Sequence, residues 1–388
     1  MNSGSRIYLD HNATTPLWSP LVAELPAFAQ TWGNPSSIHW AGREPKNYLR
    51  DARKNIAAMI NASPLELIFN SGGSEGNNTV IKSLWQIYKS TERNEFICSS
   101  VEHPSVMKTY AYLESLGARV HYIPVSKEGV LDLQFLREKL SRKTCLVSVM
   151  AANNETGTVF PLAQIAELAH VHGALLHSDS VQMFGKLPVD VKALGVDYAT
   201  FSAHKFYSLK GCGFVYVKKG SPYEPLIHGG AQERHRRGGT ENTMAIAALG
   251  FMAKHSHLVT HHQQGMSELR DSMEHKISQE LGGVHFTARQ TQRLPNTSAM
   301  VIEGVDGETL LMGLDLKGFC VSTGAACSSG NPEPSPVLLA MGLSREEAQS
   351  SLRVSLGWET TSEQVELFIQ ALVEVVTRIR SIRNEAVL

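Results

Sequence analysis

An α/β fold with a mostly parallel sheet is what this sequence predicts, and three observations predict it. Short apolar, often β-branched runs alternate with amphipathic stretches through the middle of the chain. Polar and glycine-containing clusters follow several of those runs. At 388 residues, with 42% hydrophobic and 19% charged side chains, the chain can bury a large core and form two domains.

The strand-like runs are, in order, LELIFN (65–70), EFICSS (95–100), CLVSVMAA (145–152), GALLHSD (173–179), YATFSA (198–203) and GFVYVKK (213–219). Between them the clearest helix is PLAQIAELAHVHG (161–173), with Pro161 near its start and Gly173 at its end. Beyond about residue 255 the texture changes. KHSHLVTHHQQGMSELRDSMEHKISQEL (254–281) reads as one long helix whose histidines lie on a solvated face, and shorter α+β segments follow. We expect a large domain over 13–258 and a smaller one from 1–12 and 259–388.

Composition excludes several classes. A net charge of −1 gives no field for nucleic acid or anionic membrane, and the cluster Arg234, His235, Arg236 and Arg237 is too short to reverse that. The N-terminus lacks a signal-type apolar core, and no run is long enough to span a bilayer. The five cysteines are dispersed, with no CxxC pair and no zinc-type spacing, so no metal site is expected and a reducing, cytoplasmic setting is. Cys320 continues an apolar run and reads as buried and inert. Cys327 sits among Ala, Ser, Gly, Asn and Pro in CVSTGAACSSGNPEPSPV (320–337), a composition that predicts an exposed loop.

The residues that follow the strands carry the chemistry. After LELIFN come Ser71, Gly72, Gly73, Ser74 and Glu75, and after EFICSS come Glu102, His103 and Pro104. After CLVSVMAA come Asn153 and Asn154. Asp179 ends GALLHSD, with Gln182 three residues on, and Ser202, His204 and Lys205 close YATFSA. In an open parallel sheet the strand carboxyl ends share one edge, where ligands bind. Gly-Gly-Ser before a helix can be a plain cap or a phosphate cradle. A lysine at the floor of such a cleft could form a Schiff base once desolvation lowers its pKa. Asp179 could be a turn residue or could keep a pyridinium nitrogen protonated. Cradle, lysine and aspartate together are what pyridoxal phosphate needs from a protein.

YLDHNATTPL, GNPSSIH, SGGSEGNN, EHPSV, NNETGT, HSDSVQ, SAHKFY, GGAQERHRRGGTEN and LRVSLG, running in order from about residue 7 to about residue 365, resemble the cysteine desulfurases of the NifS/IscS type. These are class V aminotransferase relatives of pyridoxal-phosphate fold type I, which implies a seven-stranded sheet in the large domain. The resemblance implies that Lys205 joins the cofactor aldehyde, that Asp179 and Gln182 bind its ring nitrogen and hydroxyl, and that His103 stacks on the ring and relays protons. Gly73, Ser74, Ser202 and His204 would hold the phosphate, Thr240 would reach the phosphate of a partner in a homodimer, and Asn154 would lie near cofactor and substrate. Asn34 and Arg353 would fix the substrate carboxylate, Arg353 through its planar fork.

The activity implied is conversion of L-cysteine to L-alanine, with Cys327, in a loop over 321–336, taking the sulfur as a persulfide for an iron–sulfur scaffold or another acceptor protein. Selenocysteine lyase or another reaction on the same cofactor is the alternative, and a catalytically inert relative a further one. Ser74 stands where many relatives carry threonine, with the hydroxyl kept. The ending SIRNEAVL does not resemble the tail by which housekeeping IscS proteins engage their scaffold, which favours a NifS-like or specialised role. Trp358 after SLG has no explanation at this level.

Overall fold

Six strands of the central sheet are the apolar runs themselves, and the seventh lies where the sequence looks too polar for one. In the computed structural model, which describes residues 6–324 and 333–385, the strands are β1 (Leu67–Asn70), β2 (Glu95–Ser99), β3 (Arg119–Ile123), β4 (Thr144–Ser148), β5 (Leu175–Asp179), β6 (Tyr198–Ser202) and β7 (Gly213–Val217). Their spatial order is β1-β7-β6-β5-β4-β2-β3. Only β7 runs against its neighbours β1 and β6; the other pairs are parallel. The carboxyl ends of β1 to β6 therefore share one edge, the premise on which the cleft was expected.

The inner strands are apolar on both faces because both faces are covered. Leu67, Phe69, Val147, Leu176 and Phe201 join one buried cluster, while Ile68, Phe96, Leu146, Tyr198 and Val215 join another on the opposite face. At the edge, β3 pairs only with β2, so Arg119 and His121 can stand in it. That is why its polar residues hide it from an apolar-run reading.

The helices that matter for the site are α1 (Arg43–Met59), α2 (Gly73–Tyr88), α3 (Pro104–Ser115), α4 (Thr243–Lys254), α5 (His257–Glu280) and α6 (Ser362–Glu385). A Cβ at Gly250 of α4 would lie 2.4 Å from that of Ala52 in α1, so glycine lets these two helices touch. A third buried cluster, with Leu9, Met300, Ile302, Val354, Phe368 and Leu372, lies about the antiparallel strands β8 (Val284–Phe286), β9 (Thr297–Ile302) and β10 (Ser351–Ser355), and α6. Ile7–Tyr8 pairs in parallel with Phe319–Cys320 beside it. The helix read over 254–281 is α5, separated from α4 at His255–Ser256. Val259 and Met266 of α5 enter the first cluster and Met273 and Ile277 the third, so one helix is common to two cores.

Two readings need correction. Cys320 is half-buried rather than buried, because the two-residue strand it ends covers it incompletely. The histidines near α5 do not all face solvent: His257, His261 and His275 do, but His255 packs edge-on against Trp18 and His262 stacks on Trp358.

That stack explains Trp358. Its ring stacks on Tyr207 at 4.2 Å and on His262 at 5.1 Å, with interplanar angles of 26° and 11°, and Phe206 lies edge-on at 5.8 Å. Its backbone N–H donates to the Tyr207 hydroxyl at 2.8 Å. Phe206 and Tyr207 follow Lys205 directly, so this sandwich braces the loop that carries the lysine. Trp358→Ala should cost about 3–5 kcal/mol in urea unfolding, and Trp358→Phe about half of that. A loss below ~1 kcal/mol for the alanine variant would show that the sandwich is not a support.

Candidate active site

The cleft begins with a helix start that no described side chain caps. Asn70 accepts from the Gly72 N–H at 2.9 Å, and Gly72, at φ 142°, turns the chain into α2 as its N-cap. Few residues other than glycine hold that φ. The first N–H groups of α2 therefore face open space, with the positive end of the helix dipole behind them. A Cβ at Gly73 would come 2.9 Å from Val181, so a side chain there would close the cradle. Ser202, at the end of β6, lies across from it. Glu75, in the first turn, is turned away: it accepts from the Ser71 N–H at 2.9 Å and pairs with Arg237 at 2.9 Å. The cradle is left free for an anion.

Lys205 ends the single 3-10 turn that follows β6. Its Nζ donates to the backbone carbonyls of Asn12 and Ala13 at 2.5 and 2.6 Å. Burial, reinforced by Arg353 and opposed by Asp10 and Asp179, draws its pKa down to about 8. His204 beside it falls to about 4, first through burial and then through Lys205, Lys210 and Lys186, so it is neutral at pH 7. Asp179 is 5% exposed. Its Oδ2 accepts from Asn77 Nδ2 at 2.7 Å and its Oδ1 from the Val181 N–H at 3.0 Å. Gln182, a turn further on, donates to the Asn12 carbonyl at 3.0 Å.

His103 is the N-cap of α3. Its Nδ1 accepts from the Ser105 N–H at 3.1 Å and lies 2.8 Å from Ser105 Oγ. A nitrogen that accepts a backbone N–H carries no proton of its own, so the neutral ring holds its proton on Nε2. Asn77 donates both to Ser105 Oγ at 2.8 Å and to Asp179, which ties the histidine and the aspartate into one network. Burial lowers the His103 pKa, Asp179 opposes that and Lys205 adds to it.

Arg353, in β10 and 7% exposed, gives Nη2 to Asp10 at 2.8 Å and Nη1 to the Asn154 carbonyl at 3.0 Å, while its buried Nε has no partner. An unpaired buried guanidinium N–H is costly unless a ligand takes it. These groups line one cavity of about 390 Å³: Gly73, Ser74, His103, Asn154, Asp179, Gln182, Ser202, His204, Lys205 and Arg353 all border it. Two expected residues do not. Asn34 is exposed in the loop after an early helix, where its carboxamide accepts from the Ser36 N–H. Thr240 is exposed and borders a separate cavity with Glu75's partner Arg237 and with Glu233. Cys327 lies outside the described residues.

Sequence reasoning missed Asn12, Ala13, Asp10, Asn77, Ser105 and Lys186. Asn12 and Asp10 stand inside the YLDHNATTPL motif and Asn77 inside SGGSEGNN, but none follows an apolar strand, so the strand-end rule passed over them. Lys186 had a usable signal: a lone lysine four residues after Gln182 in the apolar VQMFGKLPV.

The cleft can therefore seat an anion at the helix start, a cationic ring nitrogen at Asp179 and a carbonyl group at Lys205. The aminotransferase class-V family model matches residues 7–368. The chain is 40% identical over 378 residues to the cysteine desulfurase IscS of Dictyoglomus turgidum, covering 97% of this chain and 96% of that one. Among solved structures it is similar to a NifS-like protein, with a TM-score of 0.90 and 34% identity over 96% of this chain and 99% of the other. It is also similar to SspA in complex with cysteine, with a TM-score of 0.79 and 32% identity over 90% and 98% of the two chains.

Proposed function

The chain belongs to the aminotransferase class-V family, and on that footing we propose that it is a cysteine desulfurase, converting L-cysteine to L-alanine and passing the sulfur to Cys327 as a persulfide. The observation that carries this is the Lys205 amine, drawn down to about 8 in a cleft with an uncapped helix start and the Asp179 carboxylate. The cofactor we assign is pyridoxal 5′-phosphate, and the residues present fit it. Gly73, Ser74, Ser202 and His204 would hold the phosphate, Asp179 the ring nitrogen, Gln182 and Asn154 the ring oxygen, and His103 would lie on the ring face. Bound there, it supplies an electron sink beside the amino acid's Cα.

The chain's own groups do the rest. Lys205, with an appreciable neutral fraction near pH 7, can take a proton at Nζ from Cα. Arg353, which borders the cavity with its guanidinium held by Asp10 and the Asn154 carbonyl, suits the substrate carboxylate. His103, neutral with its proton on Nε2, donates toward the cleft, and it takes up a thiol proton at Nδ1 once the ring releases the Ser105 N–H from that nitrogen. An ordinary thiol has a pKa of about 8.5 and is only a few per cent thiolate near pH 7, so Cys327 needs such a base. Its thiolate attacks the substrate sulfur; the C–S bond breaks with its electron pair left on carbon, and an S–S bond forms.

A homodimer completes the reading. Thr240, exposed and away from its own cleft, would reach the phosphate held by a second copy. The loop that precedes it holds Glu233, Arg234 and His235 at positive φ, a strain that a partner surface could stabilise. Trp32, Ile38 and Trp40 form an exposed apolar patch, with the two indoles packed edge to face. No helix among the described residues is long and apolar enough to cross a membrane, and four unpaired cysteines suit the cytoplasm. The sulfur would go to an iron–sulfur scaffold or another carrier protein.

The test is an assay of alanine and sulfide from L-cysteine with a reductant. Cys327→Ala should lower sulfide release at least about a hundredfold while leaving cofactor binding intact. Full activity in that variant would remove Cys327 from the mechanism.

A further inference from the structure

Lys186 is a buried amine with no use in the reaction so far. It is 4% exposed and makes no ion pair among the described residues. Its Nζ donates to two side-chain amide oxygens, Asn12 Oδ1 at 2.6 Å and Gln182 Oε1 at 2.5 Å. The charged groups acting on it are Lys205 and Arg353, of like sign, and Asp10 of opposite sign; His11 and His204, both lowered to about 4, face it uncharged.

Burial, then Lys205 and Arg353, lower the Lys186 pKa well below the ordinary lysine value; charged or neutral, an amine that gives one N–H to each of these two oxygens sets which way each amide points. Gln182 must turn its oxygen to Lys186 and its NH₂ the other way. One of those N–H groups goes to the Asn12 carbonyl, the same carbonyl that accepts from Lys205. The second is left for the cleft. Asn12 is fixed in turn: its Oδ1 also accepts from Asn296 at 3.2 Å, and its Nδ2 donates to the Asn154 carbonyl and to Thr297 Oγ1 at 3.1 and 2.9 Å. Without Lys186, only the Asn12 carbonyl would hold the Gln182 amide in this orientation.

We propose that Lys186 is a positioning residue: it locks the Gln182 amide so that an N–H, and not the oxygen, faces the cofactor's ring oxygen. The proposal rests on the pyridoxal phosphate reading above. A donor there draws charge from the ring oxygen, so losing it should weaken binding and make the bound cofactor hold its proton to higher pH.

The experiment titrates pyridoxal phosphate into the apo forms of wild type, Lys186→Met, Gln182→Ala and the double variant. It reads the dissociation constant and the pH midpoint of the visible band. Lys186→Met should weaken binding on the order of tenfold and raise the midpoint by about one unit. Gln182→Ala should do the same, and the double variant should be no worse than either alone. The proposal is overturned if Lys186→Met matches wild type, or if its shift adds in full to that of Gln182→Ala, which would mean that its charge acts through space. A wild-type protein that gives no visible band would instead sink the cofactor reading, and this proposal with it. Should Lys186→Met fail to fold, Gln182→Glu decides: facing Lys186, a carboxylate should give a Tm at or above that of Gln182→Ala, and a lower Tm overturns the contact.

Discussion

Lys205→Ala should yield a protein that no longer links pyridoxal phosphate covalently and turns over L-cysteine at least about 10⁴-fold more slowly. No other group in the cleft can replace this amine. Arg353 is a guanidinium held by Asp10 and the Asn154 carbonyl, and Lys186 is engaged with Asn12 and Gln182. Mass spectrometry after borohydride treatment should find the cofactor on residue 205 of the wild type and on no residue of the variant. A variant that keeps a tenth of the turnover would place the essential amine elsewhere. The substitution also has a signature in the apo protein. Below pH 8 the amine is charged in folded and unfolded chains alike, and the folded chain bears the desolvation. Between about 8 and the unfolded value of 10.5 the folded chain releases its proton first, so stability rises with pH across that window. The rise should be about 2 kcal/mol, allowing for residual solvent access, and absent from Lys205→Ala. Urea unfolding at pH 7.5 and 10.5 measures it, and equal slopes in both proteins would contradict the lowered pKa.

Most of this site could be read from sequence because the fold makes strand ends converge. Runs buried on both faces are continuously apolar, so β1, β2 and β4 to β7 announce themselves, and the residues after them fall on one edge by topology alone. The parts that escaped did so for definite reasons. β3 lies at the sheet edge, where Arg119 and His121 are tolerated, so its pattern is not that of a buried strand. Asp10, Asn12 and Ala13 reach the cleft from the N-terminal segment, and no local rule says that a segment some 190 residues before Lys205 supplies the carbonyls around its amine. Asn77, and Ser105 on the cavity wall, act through other side chains, and such roles appear only when distances are known. Trp358 looked anomalous because its partners, Tyr207 and His262, are scattered through the chain.

Asp179→Asn tests the network that those distances revealed. The Asp179 carboxylate accepts from Asn77 on one oxygen and from the Val181 N–H on the other. Asparagine has one oxygen and one NH₂, so it must set a donor against a donor at one of these contacts. If Asn77 turns over to relieve the clash, it withdraws the N–H that it gives to Ser105 Oγ, and that hydroxyl can turn to the Asn77 oxygen and away from His103 Nδ1, leaving only the Ser105 backbone N–H to keep the His103 proton on Nε2. The change therefore removes the negative charge that would keep a ring nitrogen protonated and also loosens the tautomer of the histidine above it. Lys205 is untouched, so pyridoxal phosphate should still be joined and its visible band retained, while kcat falls about 10³-fold with little change in KM. Asn77→Ala should reproduce the loosening of His103 without the loss of charge, and so lower kcat only about tenfold while shifting the acid limb of its pH profile. If Asp179→Asn kept kcat within tenfold of wild type, the carboxylate would be a capping residue of the β5 turn, and the assignment of the ring nitrogen to this side of the cleft would have to be given up.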